Sequence, residues 1–456
     1  MRYTTGKIAS ILNGEIRGNS QVIVSSAMIN SKDNKEQGLF FALPGKRVNG
    51  HMFIEDAYRH GAVCAVVNKW IHTNIPIIQI KVEDTLKALG KLAKCYIDAH
   101  KNNIKHVLTI TGSNGKTTTK EMISAVLSTK YRVAKTLKSY NTEYGLPYTI
   151  LNEIDESIQF CVFEFGAQRA GDIQYLANIV PYDLTLITNI GFTHLEAFGS
   201  VENLAREKRS IVENLMKDGI VFLNADDKRL LSLKVFRDDL EYIYFGLSED
   251  KHIYVPVHLI DSGLDFITLR VFYNGKWQKL RINVGGEYNA SNCAAAITVG
   301  WYLDIPWEAI KHSLEQFTGV SLRWDVKDIG RCKVILDCYN ANPISMRVAI
   351  RTLVRISATR RFLVLGDMLE LGKAAEREHE SLGGFISDID EIDGLFLLDS
   401  HLTRCIEKGI NEQKKVIKAG EIKELAESIR KTLKRGDLIL IKGSRKMQME
   451  KILNYL

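Results

Sequence analysis

The stretch "LTITGSNGKTTTKEMI", Leu108 to Ile123, holds the residue types of a phosphate-binding loop. Glycines let backbone amides approach phosphate oxygens, a following helix N-terminus adds positive potential, and Lys116 can reach terminal phosphates. Thr117 offers a hydroxyl to Mg²⁺. The spacing is short: two residues separate Gly112 from Gly115, where the common loop has four. Glu164 ends the apolar run "FCVFEFG", and His194 follows "LITNIGFTH". Both positions fall at the carboxyl ends of predicted strands, where parallel sheets bind ligands.

Lys208 raises a separate question. In "VENLAREKRSIVENL", Leu204, Lys208, Ile211, Val212 and Leu215 form one helical stripe, and Arg206, Glu207, Arg209, Ser210 and Glu213 take the other side. An ammonium on an apolar stripe is paired, shifts its pKa, reaches out to solvent or is chemically changed.

The elements that must position these residues are legible as short apolar runs alternating with amphipathic segments, the pattern of parallel sheets covered by helices. "HVLTITG", "FCVFEFGA", "LTLITNIG" and "GIVFLNAD" predict one set of strands; "KVILDCYN", "RFLVLGDM", "GLFLLDS" and "DLILIKGS" predict a second. Between them, residues 254–286 alternate in period two around Asn274-Gly275, the signal of an antiparallel hairpin. Near the start, "GLFFALPG" and "GAVCAVVN" predict strands separated by the helical "HMFIEDAYRH". At 456 residues the chain suggests roughly three domains. The α/β reading places them at 1–102, 103–318 and 319–456.

With 45% hydrophobic and 25% charged residues the chain is that of an ordinary soluble globular protein. A net charge of +7, spread along the sequence, gives no nucleic-acid footprint and suits small polyanions equally well. Seven scattered cysteines without a Cys-x-x-Cys pair read as reduced core residues. No apolar run approaches membrane-spanning length, so a cytoplasmic protein without membrane insertion is expected.

At this point the sequence resembles the Mur ligase family of ATP-dependent amide-bond-forming enzymes. "TGSNGKTTTKE" matches that family's loop with its short spacing, and "FEFGAQRAGDI", "ITNIGFTHLEAFGS", "GGEYNASNCAAA", "LDCYNANPISM", "LGDMLELG" and "IKGSRKMQME" follow in the family's order. The last blocks, with "GLFFALPGKRVNGHMFI", are most similar to the branch that adds D-alanyl-D-alanine to a UDP-N-acetylmuramoyl-tripeptide.

The resemblance implies an N-terminal UDP-substrate domain, a central ATP-binding domain and a C-terminal Rossmann-like domain that closes over the site, in a monomer. It implies ATP contacts from Gly112, Ser113, Asn114, Gly115, Lys116, Thr117 and Thr118, from Asn289 and Asn292 near adenine, and from Arg323 and Asp337. Lys116, Glu164, His194 and Lys208 are implied as catalytic. Thr117, Glu164, His194 and Lys208 are implied as metal-binding, with two Mg²⁺ ions and a carbamylated Lys208. Substrate contacts are implied for Ser31, Lys46, His51, Asn141, Tyr339 and Asn340. The implied reaction is phosphorylation of a peptide carboxylate by ATP, then attack by an amine on the acyl phosphate. Such chemistry needs charge neutralisation and in-line positioning more than a protein nucleophile. No general base is evident.

Several motifs depart from the family pattern. Asn30-Ser31-Lys32 replaces Asp-Ser-Arg, Asn49-Gly50-His51 replaces Asp-Gly-His, "KSYNTEYGLP" replaces a Gly-Asn-x-Asn-Asn run while keeping Asn141, and Tyr288 stands where histidine is common. Another ligase acting on a UDP-linked peptide, including a pseudomurein precursor, therefore stays open. So do a folate polyglutamate ligase, against which the first 100 residues argue, and a non-enzymatic nucleotide-binding relative.

Overall fold

The computed structural model describes residues 1–45, 48–191, 195–232, 237–250 and 252–456. The apolar run His106–Thr111 is buried on both faces, as a strand at the centre of a parallel sheet must be. It pairs in parallel with Phe160–Glu164 on one side and Leu184–Ile187 on the other. Val133–Lys135 extends the sheet beyond the first, while Ile220–Asn224 and then Glu241–Phe245 extend it beyond the second. Strand order therefore reverses at His106–Thr111, and the carboxyl end of that strand is where a sheet of this kind binds ligands. The helix Lys116–Leu127 buries a stripe of Met122, Ile123, Val126 and Leu127.

The expected antiparallel patch forms a sheet of its own, Val257–Ser262, Ile267–Tyr273 and Lys276–Ile282. Asn274 (φ +49°) and Gly275 (φ +77°) make its hairpin turn, both left-handed as a two-residue primed turn requires. Val257, Leu269, Val271 and Leu280 face the same core as Ile110, Phe160 and Phe222.

Near the N-terminus, Ser26–Met28, Gly38–Phe41, Ala62–Val67 and Ile78–Lys81 form a parallel sheet edged by antiparallel Glu15–Arg17. It is tied to the central region by polar bonds. Ala27 exchanges two hydrogen bonds with the Asn152 amide (3.1 and 3.2 Å), and Tyr96 Oη donates to Ile154 O at 2.9 Å.

In the C-terminal third, Cys332–Leu336, Leu438–Lys442, Arg361–Leu365, Gly394–Leu398 and Val416–Ala419 are parallel neighbours. Asp325–Ile329 adds an antiparallel edge. Its sequence, DVKDI, gave no strand signal because a half-exposed edge tolerates three charges in five residues. All seven cysteines are free, and six are buried. Among the described residues, no helix is long and apolar enough to cross a membrane.

Candidate active site

The phosphate loop leaves the central strand where strand order reverses, and glycines are required at both of its ends. At Gly112 (φ +147°) a Cβ would lie 1.9 Å from Thr188 Oγ1; at Gly115 (φ +82°) it would lie 2.5 Å from Asn292 Oδ1. Ser113 N donates to Asn189 O (2.9 Å) and Asn114 N to Asn189 Oδ1 (2.9 Å). Asn114 O accepts from Thr188 Oγ1 (2.7 Å) and Asn189 Nδ2 (3.0 Å). Thus anchored, the loop presents the first amides of helix Lys116–Leu127, which have no intrahelical acceptor and favour an anion.

Two lysines meet at the start of this loop. Lys116 Nζ donates to Gly112 O at 2.7 Å, and Lys208 Nζ donates to the same oxygen at 3.0 Å. Lys208 is 2% exposed, within the expected stripe of Leu204, Ile211, Val212 and Leu215, so it does not reach out to solvent. Burial drives its pKa well below the ordinary lysine value, and the Lys116 charge adds to this, against opposition from Glu207 and Glu164. Burial also lowers Lys116, with Glu164 opposing and Arg323 reinforcing.

Glu207 corrects the expectation of a solvent-facing side. It is buried, and its two oxygens accept from Gly171 N and Ile173 N, both at 2.8 Å, at the start of helix Asp172–Ile179. One residue from Lys208, it lies on the flank of the stripe where helix Val201–Glu213 packs against that second helix.

Glu164, 1% exposed, is met by Thr117 Oγ1 (2.8 Å) and Asn141 Nδ2 (2.7 Å). Ser139 Oγ lies 3.1 Å from Thr117 Oγ1. Arg323 reaches across from the C-terminal third, where Nη2 donates to Thr117 Oγ1 at 3.0 Å while the guanidinium lies 4.2 Å from the Tyr339 ring centre. Asn342 Nδ2 donates to Asn114 Oδ1 at 2.7 Å, and Arg355 pairs with Glu287 at 2.6 Å, so the same two regions meet at further points.

Comparison with known proteins matches residues 24–97 to the Mur ligase family catalytic domain, 110–300 to the Mur ligase middle domain and 322–445 to the Mur ligase glutamate ligase domain. The Bacillus subtilis UDP-N-acetylmuramoyl-tripeptide--D-alanyl-D-alanine ligase is 33% identical, over 99% of this chain and 98% of its own. The chain belongs to the Mur ligase family. Its fold matches MurF from Acinetobacter baumannii with a TM-score of 0.85 at 26% identity, covering 100% of this chain and 98% of that one. MurF ligase from Thermotoga maritima in complex with ADP matches at 0.80 and 29%, covering 95% and 97%.

Other expected residues of this Mur ligase lie at varying distance from that cluster. Asn289 Oδ1 accepts from Asn292 Nδ2 (2.9 Å), and Asn292 Oδ1 accepts from Thr119 Oγ1 (3.1 Å), which joins both asparagines to the loop helix. Asp337 is held by Lys442 at 2.6 Å. Asn340 is exposed, and its carbonyl also accepts from Lys442. Ser31 is buried in the N-terminal sheet region. His51 has both nitrogens engaged, Nδ1 with Asn49 Oδ1 at 2.6 Å and Nε2 accepting from Asn68 N at 3.1 Å. Burial, then the Lys69 charge, lower its pKa. Lys46 and His194 lie outside the described residues.

The donor set suits Mg²⁺, since a hydroxyl and a buried carboxylate are hard oxygen ligands. Sequence reasoning missed Thr188 and Asn189, which anchor the loop, and Ser139 and Asn342. The Thr-Asn pair directly after the strand Leu184–Ile187 was the available signal, because polar residues at that end lie where such a sheet binds ligands.

Proposed function

We propose that this chain joins D-alanyl-D-alanine to a UDP-N-acetylmuramoyl-tripeptide, converting ATP to ADP and phosphate, in cytoplasmic peptidoglycan precursor synthesis. The observation that carries the reading is end-to-end similarity to a ligase of that name, laid over a phosphate loop that meets two lysines and a buried carboxylate.

In this reading the loop amides and Lys116 hold the ATP phosphates, and Arg323 adds a cation from the C-terminal third. Thr117, Glu164, His194 and a carbamate on Lys208 would hold Mg²⁺. Bound there, Mg²⁺ would supply charge neutralisation for the ATP phosphates. The neutral Lys208 amine adds to the carbon of CO₂ and releases a proton to solvent, which turns a buried amine into an anionic ligand. The peptide carboxylate then attacks the γ-phosphorus, the bond to the β-bridging oxygen breaks, and ADP leaves. The amine nitrogen attacks the acyl carbon, phosphate departs with the C–O electron pair, and the amine's proton passes to solvent. Ser31, Lys46 and His51 contribute to the UDP end, with Asn141, Tyr339 and Asn340 nearer the peptide.

The test is phosphate release with UDP-N-acetylmuramoyl-tripeptide and a panel of amines. D-alanyl-D-alanine should support release and single amino acids should not. Faster turnover with glutamate, lysine or a diamino acid assigns the chain to another branch.

A further inference from the structure

Lys120 is fully buried, and no step of the proposed reaction uses it. An ammonium has three donors and no acceptor. Here Nζ donates to Thr136 O (2.5 Å) and Lys138 O (2.6 Å) and lies 2.9 Å from Glu121 Oε1, so every proton has a partner.

The two carbonyls flank a tight place in the backbone. Lys138 has φ +49°, the left-handed region, which costs a non-glycine residue roughly 1–2 kcal/mol. Residues 136–141 lie outside any strand or helix, and backbone bonds tie them chiefly at the two ends, where Thr136 N donates to Val162 O (3.0 Å) and Asn141 O accepts from Gly166 N (2.8 Å). The buried ammonium adds a grip at two carbonyls, one of them in the turn between those ends.

This strap touches both residues of the hydroxyl–carboxylate pair. Thr136 Oγ1 accepts from Glu164 N at 2.8 Å, Ser139 Oγ lies 3.1 Å from Thr117 Oγ1, and Asn141 Nδ2 donates to Glu164 Oε1 at 2.7 Å. The Lys120 ammonium bonds to neither Thr117 nor Glu164, but it holds the backbone that orients both. An apolar side chain in its place leaves the buried Thr136 carbonyl and the half-buried Lys138 carbonyl without this donor, which loosens the turn.

We propose that Lys120 is a positioning residue that, by pinning the Thr136–Asn141 strap, sets the affinity of the Thr117–Glu164 pair for a divalent cation. The inference rests on the reading of Thr117 and Glu164 as Mg²⁺ ligands.

The experiment is a Mn²⁺ titration followed by electron paramagnetic resonance, with saturating ADP, on the full-length parent, Lys120→Met and Lys120→Gln. The Mn²⁺ dissociation constant should rise by about 10- to 100-fold in Lys120→Met, the range for removing a partner that orients a metal ligand, and by less in Lys120→Gln. The Mg²⁺ needed for half-maximal turnover should rise by the same factor while KM for the UDP-peptide stays level. Amide exchange should quicken at residues 137–141 and not in His106–Thr111.

Unchanged Mn²⁺ affinity in folded Lys120→Met overturns the proposal whatever happens to turnover. If that variant does not fold, Lys120→Gln decides by the same criteria, and loss of fold in both makes Lys120 a stability residue and overturns it. A parent that binds Mn²⁺ with ADP yet never couples D-alanyl-D-alanine defeats the functional reading and leaves this one standing.

Discussion

The ammonium groups of Lys116 and Lys208 converge on one acceptor, the Gly112 carbonyl oxygen, at 2.7 and 3.0 Å. Burial, and after it repulsion from the Lys116 charge, press Lys208 toward its neutral form. Neutral amine is the form that adds CO₂. The buried setting that makes the Lys208 cation costly therefore also suits the proposed carbamylation.

Lys208→Ala should lower turnover by about 100-fold or more with little change in fold, the scale of losing a preorganised electrostatic group. Lys208→Arg, which keeps the charge but forms no carbamate, should be as inactive, and acetate should partly restore the alanine variant. The direct check is a ¹³C carbamate resonance from labelled bicarbonate, present in the parent and absent in both variants. Near-parental turnover in Lys208→Arg would remove Lys208 from the metal site.

A pH dependence of stability follows from the same lysine. Its folded pKa lies below the ordinary 10.5, so between the two values the unfolded chain binds a proton that the folded chain does not. Stability from this group must then rise with pH across that window and fall away as pH drops through the lowered value. Urea midpoints in CO₂-free buffer should show that rise in the parent and lose it in Lys208→Met. Equal slopes for the two proteins would contradict the shift.

Arg323 links the C-terminal third to Thr117. Removing one charge-assisted bond of this kind costs about 1.5–3 kcal/mol, so Arg323→Ala should weaken ADP or ATP binding by roughly 10- to 150-fold in calorimetry. The linker carries left-handed backbone at Gly319, Leu322 and Trp324 (φ +88°, +61° and +55°), which suits a pivot near residues 318–322. Adding an ATP analogue and UDP-peptide should reduce the radius of gyration in solution scattering. An unchanged profile would count against closure.

Glu207 caps helix Asp172–Ile179 through two backbone amides at 2.8 Å. Glu207→Ala leaves both without an acceptor and should destabilise the protein by about 1–3 kcal/mol in urea titration, while Glu207→Gln keeps an acceptor and should lose less.

The sequence by itself determined the three groups of strands, the hairpin at Asn274-Gly275, the phosphate loop and the buried stripe holding Lys208. Each is a local pattern, a period of two or 3.6 or a short run of glycines, and local sterics and burial enforce such patterns wherever they occur. Tertiary structure decided what the pattern leaves free. Glu207 and Lys208 are consecutive residues, and only the arrival of helix Asp172–Ile179 makes the first a cap while the loop makes the second a buried amine. Lys120 reads as one more charge in "TTTKEM", and its burial depends on the carbonyls of Thr136 and Lys138 folding over it. Arg323 stands 206 residues from Thr117, a contact with no periodic trace because it is set by how two separate sheets pack.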